Sequence, residues 1–368
     1  MGENPNQTRT PPPSTESQSE TTTFESGPPQ VTETWNMDRR GFEVVIENEQ
    51  AYISNLSSLY AVNTRTGGVQ WETELDTLLW GDNITLSDDV LYLSSTQADD
   101  SDTGAKLYAL SAESGDILWE YESDNEELGP HPMVIDSTII ICGQKQGGSF
   151  DQSTPYTVYC VNKENGELEW KTESTGGHVD SLYSLDGKII VNSTDDRVFD
   201  HESGELDTES PLSDTIKRVD YFLDDFGYTL PSDGNIIMKK RRLPTGEIEW
   251  GTDVISYEKD RYNPINRLYK SNQLYIVGKN NIWSVDNETG EINWKTNIKP
   301  SLLSDLVYTQ DHIWSSYEGT NELVAINKKS GNKYDIGNVN EEPIHLGTTD
   351  TSVIVANEES GVRRLDLS

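Results

Sequence analysis

A tight turn containing glycine recurs seven times along this chain, and in five of the seven a tryptophan follows the glycine by four residues. Two copies, at Gly204 and Gly331, keep the turn without the tryptophan. The glycines lie roughly 40–50 residues apart, which is the period of four-stranded blades in a β-propeller. The repeat therefore predicts a ring of stacked blades. The five complete copies are Gly67–Trp71, Gly115–Trp119, Gly166–Trp170, Gly246–Trp250 and Gly290–Trp294.

Each repeat reads as three short strands, the glycine turn and a fourth, outer strand. In the first repeat the strands are predicted at residues 43–48, 50–55, 57–63 and 69–73. No segment shows helical periodicity over three turns, so the sequence predicts an all-β protein.

The two ends of the repeat region complement each other. Trp35 is an outer-strand tryptophan with no glycine turn before it, and Asp366 stands where most repeats place the Asn or Asp that precedes the turn. Residues 31–36 would then supply the outer strand of a last blade whose inner strands are C-terminal, which removes two free sheet edges. We therefore predict an eight-bladed β-propeller whose N-terminal strand closes the last blade, forming a single domain over residues 31–368.

Residues 1–30 are rich in Pro, Ser, Thr and Glu and nearly free of large apolar side chains. Such a segment cannot bury enough surface to offset its ordering entropy, so we expect a disordered stalk. The sequence shows no signal peptide and no apolar run long enough to span a bilayer. A stalk of this kind favours an extracellular or surface-anchored location, with the cytoplasm as the alternative.

The chain carries 28 Lys and Arg against 64 Asp and Glu, a formal net charge of −36. This charge repels nucleic-acid phosphates and anionic lipids, so neither is an expected partner. The charge also repels itself, which destabilises a compact fold unless salt screens it. We expect a monomer. Because the acidity is spread over the whole chain, we predict a salt-loving source, where screening offsets the self-repulsion.

The full repeat, A-x-N/D-x-x-T/S-G-x-x-x-W, resembles the tryptophan-docking motif of PQQ-type β-propellers. It stands as AVNTRTGGVQW at 61–71, ALSAESGDILW at 109–119, CVNKENGELEW at 160–170 and SVDNETGEINW at 284–294. The resemblance implies that each tryptophan, Trp35 included, packs on the neighbouring blade and that the small first residue leaves room for the indole. Blades with Thr208 or Asp335 at the tryptophan position, or Lys240 at the small position, depart from the pattern.

That family includes quinoprotein alcohol dehydrogenases and the lipoprotein propeller of the bacterial outer-membrane assembly machine, as well as propellers that bind no quinone. The quinoprotein enzymes resemble one another in two adjacent cysteines beside the quinone and in a calcium site. Here Cys142 and Cys160 are far apart in sequence. They are read as small buried residues, with a cross-strand disulfide as the alternative.

The sequence shows no other catalytic or metal-binding motif. Its five histidines lack zinc-ligand spacing, and no nucleophile elbow or phosphate-binding glycine loop is present. The sequence therefore predicts no catalytic residue, no metal and no cofactor, and a binding protein is favoured over an enzyme. PQQ with calcium is the alternative cofactor.

The glycine turns should all lie on one face of the ring, the tight-turn face. Longer connections, near 96–105, 143–156 and 256–266, should lie on the opposite, long-loop face, where rigid scaffolds usually bind. A partner-binding surface is predicted there, with anchors of the types enriched at interfaces. These anchors are Tyr156, Tyr257, Arg261 and Tyr262.

A basic run, 239–242, interrupts the acidic background and is interpreted as ion-paired within its blade, with a docking point for an acidic partner as the alternative. Taken together, the sequence favours a non-catalytic binding or assembly scaffold, exported or at the cell surface, that holds a protein partner or a small ligand on the long-loop face. The alternatives are a PQQ-dependent dehydrogenase and a propeller that senses a small ligand.

Overall fold

A computed structural model of the chain describes most of the repeat region. The described residues are 28–79, 84–95, 104–123, 126–129, 131–144, 155–175, 177–217, 219, 221–229, 237–253, 265–270, 273–278, 281–298, 306–317, 322–338, 345–357 and 361–368. Most of the predicted stalk, residues 1–27, therefore lies outside the described residues.

The strands form eight sheets, here called blades one to eight in chain order. The chain begins with β1 (Val31–Met37), which belongs to blade eight. Blades one to four contain β2 (Glu43–Glu47), β3 (Gln50–Ser54), β4 (Ser58–Asn63) and β5 (Val69–Glu74); β6 (Ile84–Ser87), β7 (Val90–Ser94), β8 (Lys106–Ser111) and β9 (Ile117–Glu122); β10 (Glu127–Leu128), β11 (Met133–Ile135), β12 (Thr138–Gln144), β13 (Pro155–Asn162) and β14 (Leu168–Thr175); and β15 (Val179–Leu185), β16 (Lys188–Ser193) and β17 (Arg197–Asp200).

A short helix, α1 (Pro211–Ile216), separates blade four from blade five. Blades five to eight contain β18 (Tyr221–Leu223), β19 (Phe226–Thr229), β20 (Ile237–Arg242) and β21 (Ile248–Asp253); β22 (Ile265–Lys270), β23 (Leu274–Gly278), β24 (Asn281–Val285) and β25 (Ile292–Asn297); β26 (Val307–Tyr308), β27 (His312–Ser316), β28 (Glu322–Asn327) and β29 (Lys333–Asn338); and β30 (His345–Thr349), β31 (Ser352–Asn357) and β32 (Gly361–Leu367).

Blade eight is composite, as the sequence predicts. Its sheet order is β1-β32-β31-β30, so the N-terminal strand pairs antiparallel with the C-terminal one. Trp35 stands opposite Arg364 in this pairing, and Gln30 and Ser368 exchange two backbone hydrogen bonds beyond it. The predicted fold class, an all-β eight-bladed propeller closed by its N-terminal strand, is confirmed.

The core lies between blades. Second and third strands are almost entirely buried, whereas outer strands such as β5 alternate between exposed and half-buried side chains. Each apolar cluster joins neighbouring blades; one, for example, packs Tyr52 and Leu59 of blade one against Leu93 and Leu110 of blade two. The ring is thus a series of similar interfaces, and each must be held by local contacts.

Blade four departs from the repeat. Its described sheet has three strands, and the segment after the glycine turn makes one bridge, Phe199 to Leu206, before entering α1. A helix of six residues is shorter than three turns, so it leaves the all-β assignment unchanged. The local signal is a Ser210-Pro211 pair: Ser210 is the N-cap, its side chain accepting from the Ser213 backbone N–H, and proline suits the first helical position. Within the described ranges, no helix is long and apolar enough to cross a membrane.

Candidate functional site

The repeated tryptophans dock onto the glycine turns of the next blade. At Gly115 the backbone has φ of +76°, and a β-carbon there would lie 2.5 Å from a ring carbon of Trp71. Glycine is therefore required twice over, for the left-handed backbone and for the close approach of the indole. The same contact occurs at six interfaces: Trp35 on Gly67, Trp71 on Gly115, Trp119 on Gly166, Trp170 on Gly204, Trp250 on Gly290 and Trp294 on Gly331.

Each docked indole also makes a hydrogen bond. Its Nε1–H donates to the carbonyl of the first residue of the neighbouring turn, over 2.9 to 3.0 Å, as in Trp35 to Thr64 and Trp170 to His201. The pairing of third and outer strands has a bulge beside the tryptophan, for example between Ala61, which stands opposite Trp71, and Val62. The motif thus fixes the rotation of one blade on the next.

The Asn or Asp before each turn organises the turn itself. The Asn63 Oδ1 accepts from the backbone N–H groups of Arg65 and Thr66. In blade six, Asp286 Oδ1 accepts in the same way from Glu288 and Thr289. At Asp200 the backbone N–H and hydroxyl of Ser203 lower the carboxyl pKa to about 2. The acceptors are therefore charged or polar groups that bind backbone N–H groups of the turn.

The interface between blades four and five uses a different contact. Blade four has Thr208 at the tryptophan position, and the residue nearest Gly246 is Thr215 of α1, whose Oγ1 lies 3.3 Å from the position of a glycine β-carbon. The Thr215 hydroxyl donates to the Pro244 carbonyl over 2.8 Å. A helix therefore occupies the place that an indole takes at the other docked interfaces.

Two interfaces carry a second donor. Lys240, at the small position of blade five, donates from Nζ to the Asn287 carbonyl over 2.8 Å, and Trp250 donates to the same oxygen over 3.0 Å. Arg364 occupies the small position of blade eight, and its Nη1 donates to the Thr64 carbonyl that Trp35 also uses, over 2.6 Å. Cationic side chains at this position reinforce the docking rather than displace it.

A further interface contact involves the tyrosine directly before the small position. The hydroxyl of Tyr60 donates to the Arg40 carbonyl over 2.8 Å, and that of Tyr159 donates to Glu126 Oε2 over 2.7 Å. Tyr108 makes the matching bond to the Asp76 carboxylate. These tyrosines tie a blade to the linker from the preceding one. In the sequence this contact corresponds to a Tyr-Ala or Tyr-Cys pair in three repeats.

The predicted partner-binding anchors are only partly described. Tyr156 lies in β13 with 1% of its surface exposed, packed in the cluster between blades three and four, and burial raises its pKa. Tyr257, Arg261 and Tyr262 lie outside the described residues. The described structure thus places Tyr156 beneath the surface and leaves the long-loop anchors as a prediction.

The basic run is paired within its own blade. Lys240 and Arg242 both approach the carboxylate of Glu249 on the adjacent outer strand, the first at 3.4 Å, and the Lys240 ammonium lies 3.8 Å from the centre of the Phe226 ring. Arg241 donates to Thr229 and to the Gly246 carbonyl. Lys240 and Arg242 are thus ion-paired within the blade, through Glu249.

The two cysteines are free and buried in adjacent strands. Cys160 stands opposite Ile140, and Cys142 opposite Val158, in the pairing of β12 with β13. Burial raises the pKa of both thiols, that of Cys160 to about 11. They are packing residues in this state and not nucleophiles. Among the described residues, no three His, Cys, Asp or Glu side chains come together as a metal site.

Among the residues that the structure describes, two cavities on the tight-turn face stand out. The larger, here called the seam cavity, has a volume of about 530 Å³ and lies where blades seven, eight and one meet. The smaller, about 190 Å³, lies among the turns that join the first two strands of blades three to five, here called inner turns. The seam cavity is lined by Ile46, Asn48, Glu49, Thr64, Arg65, Tyr308, Thr348, Thr349, Asp350, Thr351 and Arg364.

The comparisons with known proteins agree with this geometry. A family model described as outer membrane protein assembly factor BamB matches residues 20–121 and 55–150. BamB from Moraxella catarrhalis is 13% identical over 91% of this chain and 99% of its own, with a TM-score of 0.62. The quinohemoprotein alcohol dehydrogenase from Comamonas testosteroni is 11% identical over 93% of this chain and 76% of its own, with a TM-score of 0.59.

The computationally designed Ika8 protein is 12% identical over 92% of this chain and 100% of its own, with a TM-score of 0.65. No match was found among curated proteins. Identities this low establish the shared architecture and not a shared activity. Together with the six docked indoles and the match over the first blades, they show an eight-bladed β-propeller whose repeats are similar to the tryptophan-docking motif of PQQ-type propellers.

Proposed function

We propose that this protein is a non-catalytic scaffold that binds a protein partner on its long-loop face, outside the cytoplasm. The observation that carries the proposal is the use of the repeat itself. Its tryptophans and glycines, the residues that resemble quinoprotein enzymes, are engaged in blade docking at six interfaces. The repeat thereby holds the blades together as a rigid platform, and this docking does not require a bound quinone.

Charge and similarity support the same function. A net charge of −36 steers a partner that presents a basic surface, and the attraction weakens as salt screens it. The match to the assembly-factor model covers the first blades, and the similarity to BamB extends over nearly all of that chain. The stalk-like segment before residue 31 would hold the ring away from an anchoring surface.

The proposal is tested with two arginine variants, one at a predicted partner anchor and one on the tight-turn face. A partner is captured by cross-linking from a cell-envelope extract, purified and titrated against the full chain at low and high salt. Arg261→Ala, at an anchor that the sequence predicts for the long-loop face, should weaken binding at least tenfold. Arg65→Ala, whose side chain is 70% exposed on the tight-turn face, should leave binding unchanged. Equal loss in both variants, or an affinity insensitive to salt, contradicts the proposal.

The dehydrogenase alternative is separated by a titration with PQQ and Ca²⁺ in high salt. Visible absorbance follows binding of the quinone, thermal shift follows stabilisation, and dye-linked oxidation of alcohols follows activity. A stoichiometric chromophore with alcohol oxidation would replace the scaffold by an enzyme. A flat titration leaves the scaffold as the function to be tested with the captured partner.

A further inference from the structure

The seam cavity has the size of a small-ligand site. Its volume of about 530 Å³ falls within the range of about 300–1,000 Å³ that such sites occupy. Side chains or backbone from three blades contribute: Tyr308 from blade seven, Asp350 and Arg364 from blade eight, and Glu49 and Arg65 from blade one. Most lining residues are polar, so a ligand held there would be recognised through hydrogen bonds.

The opening follows from the way the ring closes. In the other blades the chain runs from the third strand through the glycine turn directly into the segment that follows it. In blade eight the third strand, β32, and the outer strand, β1, come from distant parts of the sequence, so no turn joins them. This corner of blade eight therefore leaves space beside Arg364, between the inner turn at 349–351 and the turns of blade one.

Arg364 is held rigidly at the edge of that space. Its side chain is 11% exposed, its Nε donates to Asp366, and its Nη1 donates to the Thr64 carbonyl over 2.6 Å. These bonds use two of the five N–H donors of the guanidinium. The arginine is therefore oriented in advance, which lowers the entropic cost of binding.

The floor of the cavity is also fixed. The Tyr308 ring stacks on Tyr275 with centroids 5.8 Å apart and an interplanar angle of 28°. The Thr348 hydroxyl donates to the Tyr308 carbonyl over 2.9 Å, which ties blade eight to blade seven. A ligand would meet a surface that does not have to rearrange.

The charges of the lining favour a neutral ligand. Arg65 pairs with Glu49, and Arg364 pairs with Asp366, so each guanidinium has a carboxylate beside it. The net charge of −36 works against a free anion. Carboxylates accept, guanidinium groups donate, and the hydroxyl of a residue such as Thr351 does both. A ligand with many hydroxyl groups, each a donor and an acceptor, matches this mixture.

We propose that the seam cavity binds a neutral saccharide of one or two sugar units. The site lies on the tight-turn face, opposite the proposed partner surface, so the protein can hold both at once. If no sugar binds there, the scaffold proposal is unaffected, because it concerns the long-loop face.

The test is isothermal titration of the full chain with glucose, galactose, mannose, N-acetylglucosamine, maltose and lactose, with saturation-transfer NMR for weak binders. At least one should bind with a Kd of about 1 mM or tighter. Thr351→Trp fills the exposed side of the cavity and should abolish binding, and Asp350→Asn should weaken it at least fivefold. Asp89→Asn, in the corresponding inner turn of blade two, is the matched control and should bind as the parent does.

Circular dichroism of every variant shows whether the ring is intact, so a folding defect is not mistaken for a lost site. Three results would overturn the proposal. The first is no binding by any of the six sugars, and the second is binding that both cavity variants retain. The third is binding by glycine or citrate in place of sugars, which would assign the cavity to charged ligands.

Discussion

Replacing Trp250 by phenylalanine should destabilise the ring less than the same change at Trp294. The two indoles are matched: they are 7% and 8% exposed, and each donates to a turn carbonyl of the next blade, over 3.0 and 2.9 Å. They differ in the neighbouring small position. Lys240 also donates to the carbonyl that Trp250 uses, over 2.8 Å, whereas Ser284 beside Trp294 donates to Gln273.

The magnitude follows from that difference. Both changes remove the same part of an indole, so the lost apolar burial cancels in the comparison. A buried carbonyl left without its donor costs about 1–3 kcal/mol, and Lys240 spares the blade-six turn most of this cost. The free energy of unfolding should therefore fall by about 1–2 kcal/mol more for Trp294→Phe. In a chain of this size that corresponds to a Tm difference of roughly 2 °C.

The assay is thermal and urea unfolding of both variants followed by far-UV circular dichroism, which does not depend on the number of tryptophans. Lys240→Met, which keeps the length of the side chain, completes a double-mutant cycle with Trp250→Phe. The double variant should lose more stability than the sum of the single losses, because only then is the carbonyl abandoned. Additive losses, or equal costs for Trp250→Phe and Trp294→Phe, would refute the shared-acceptor argument.

Two further predictions concern the turns. Gly204→Ala should lower the Tm at least twice as much as Gly187→Ala. Both residues have a left-handed backbone, with φ of +70° and +71°, so the backbone strain is the same. The new β-carbon at 204 would lie 2.5 Å from Trp170, whereas no described atom lies within 4 Å of a β-carbon at 187. Thermal scans of the two variants decide this, and equal shifts would mean that backbone strain alone matters. Because Ser203 lowers the pKa of Asp200 to about 2, the native turn favours the carboxylate; its stabilisation is present above the ordinary carboxyl pKa and is lost as the pH falls toward 2. The Tm of the parent should therefore drop more than that of Asp200→Asn between about pH 5 and pH 2, and parallel curves would contradict the assignment.

The ring could be predicted from sequence because its period is written in local residues. A glycine turn, a tryptophan four residues later and the unpaired Trp35 were enough to count the blades and to close the last one. Each of these signals acts within a few residues, where backbone conformation and strand alternation decide the outcome.

The departures were visible but their consequences were not. Lys240 stands out at a small position, yet only the structure shows its ammonium sharing a carbonyl with an indole of its own blade. Thr215 reaches Gly246 because α1 packs its buried face against the next blade, and a six-residue helix has no periodicity to detect. The contact between Arg364 and Thr64 joins residues 300 positions apart. No local pattern reports such a pairing, and the seam cavity beside it was therefore not predicted.

The closing of blade eight by β1 also sets the order of events in folding. Bringing together two points 300 residues apart in an unstructured chain costs about 5 kcal/mol in loop-closure entropy, more than one strand pairing is expected to return. The blades between them must form first, each shortening the distance that remains. During synthesis β1 leaves the ribosome before β32, and its edge stays unpaired until β32 has emerged. The protein therefore passes through an open arc of blades with an unpaired strand edge at each end. Any contact that covers Val31–Met37 during that interval protects the chain from pairing with another copy.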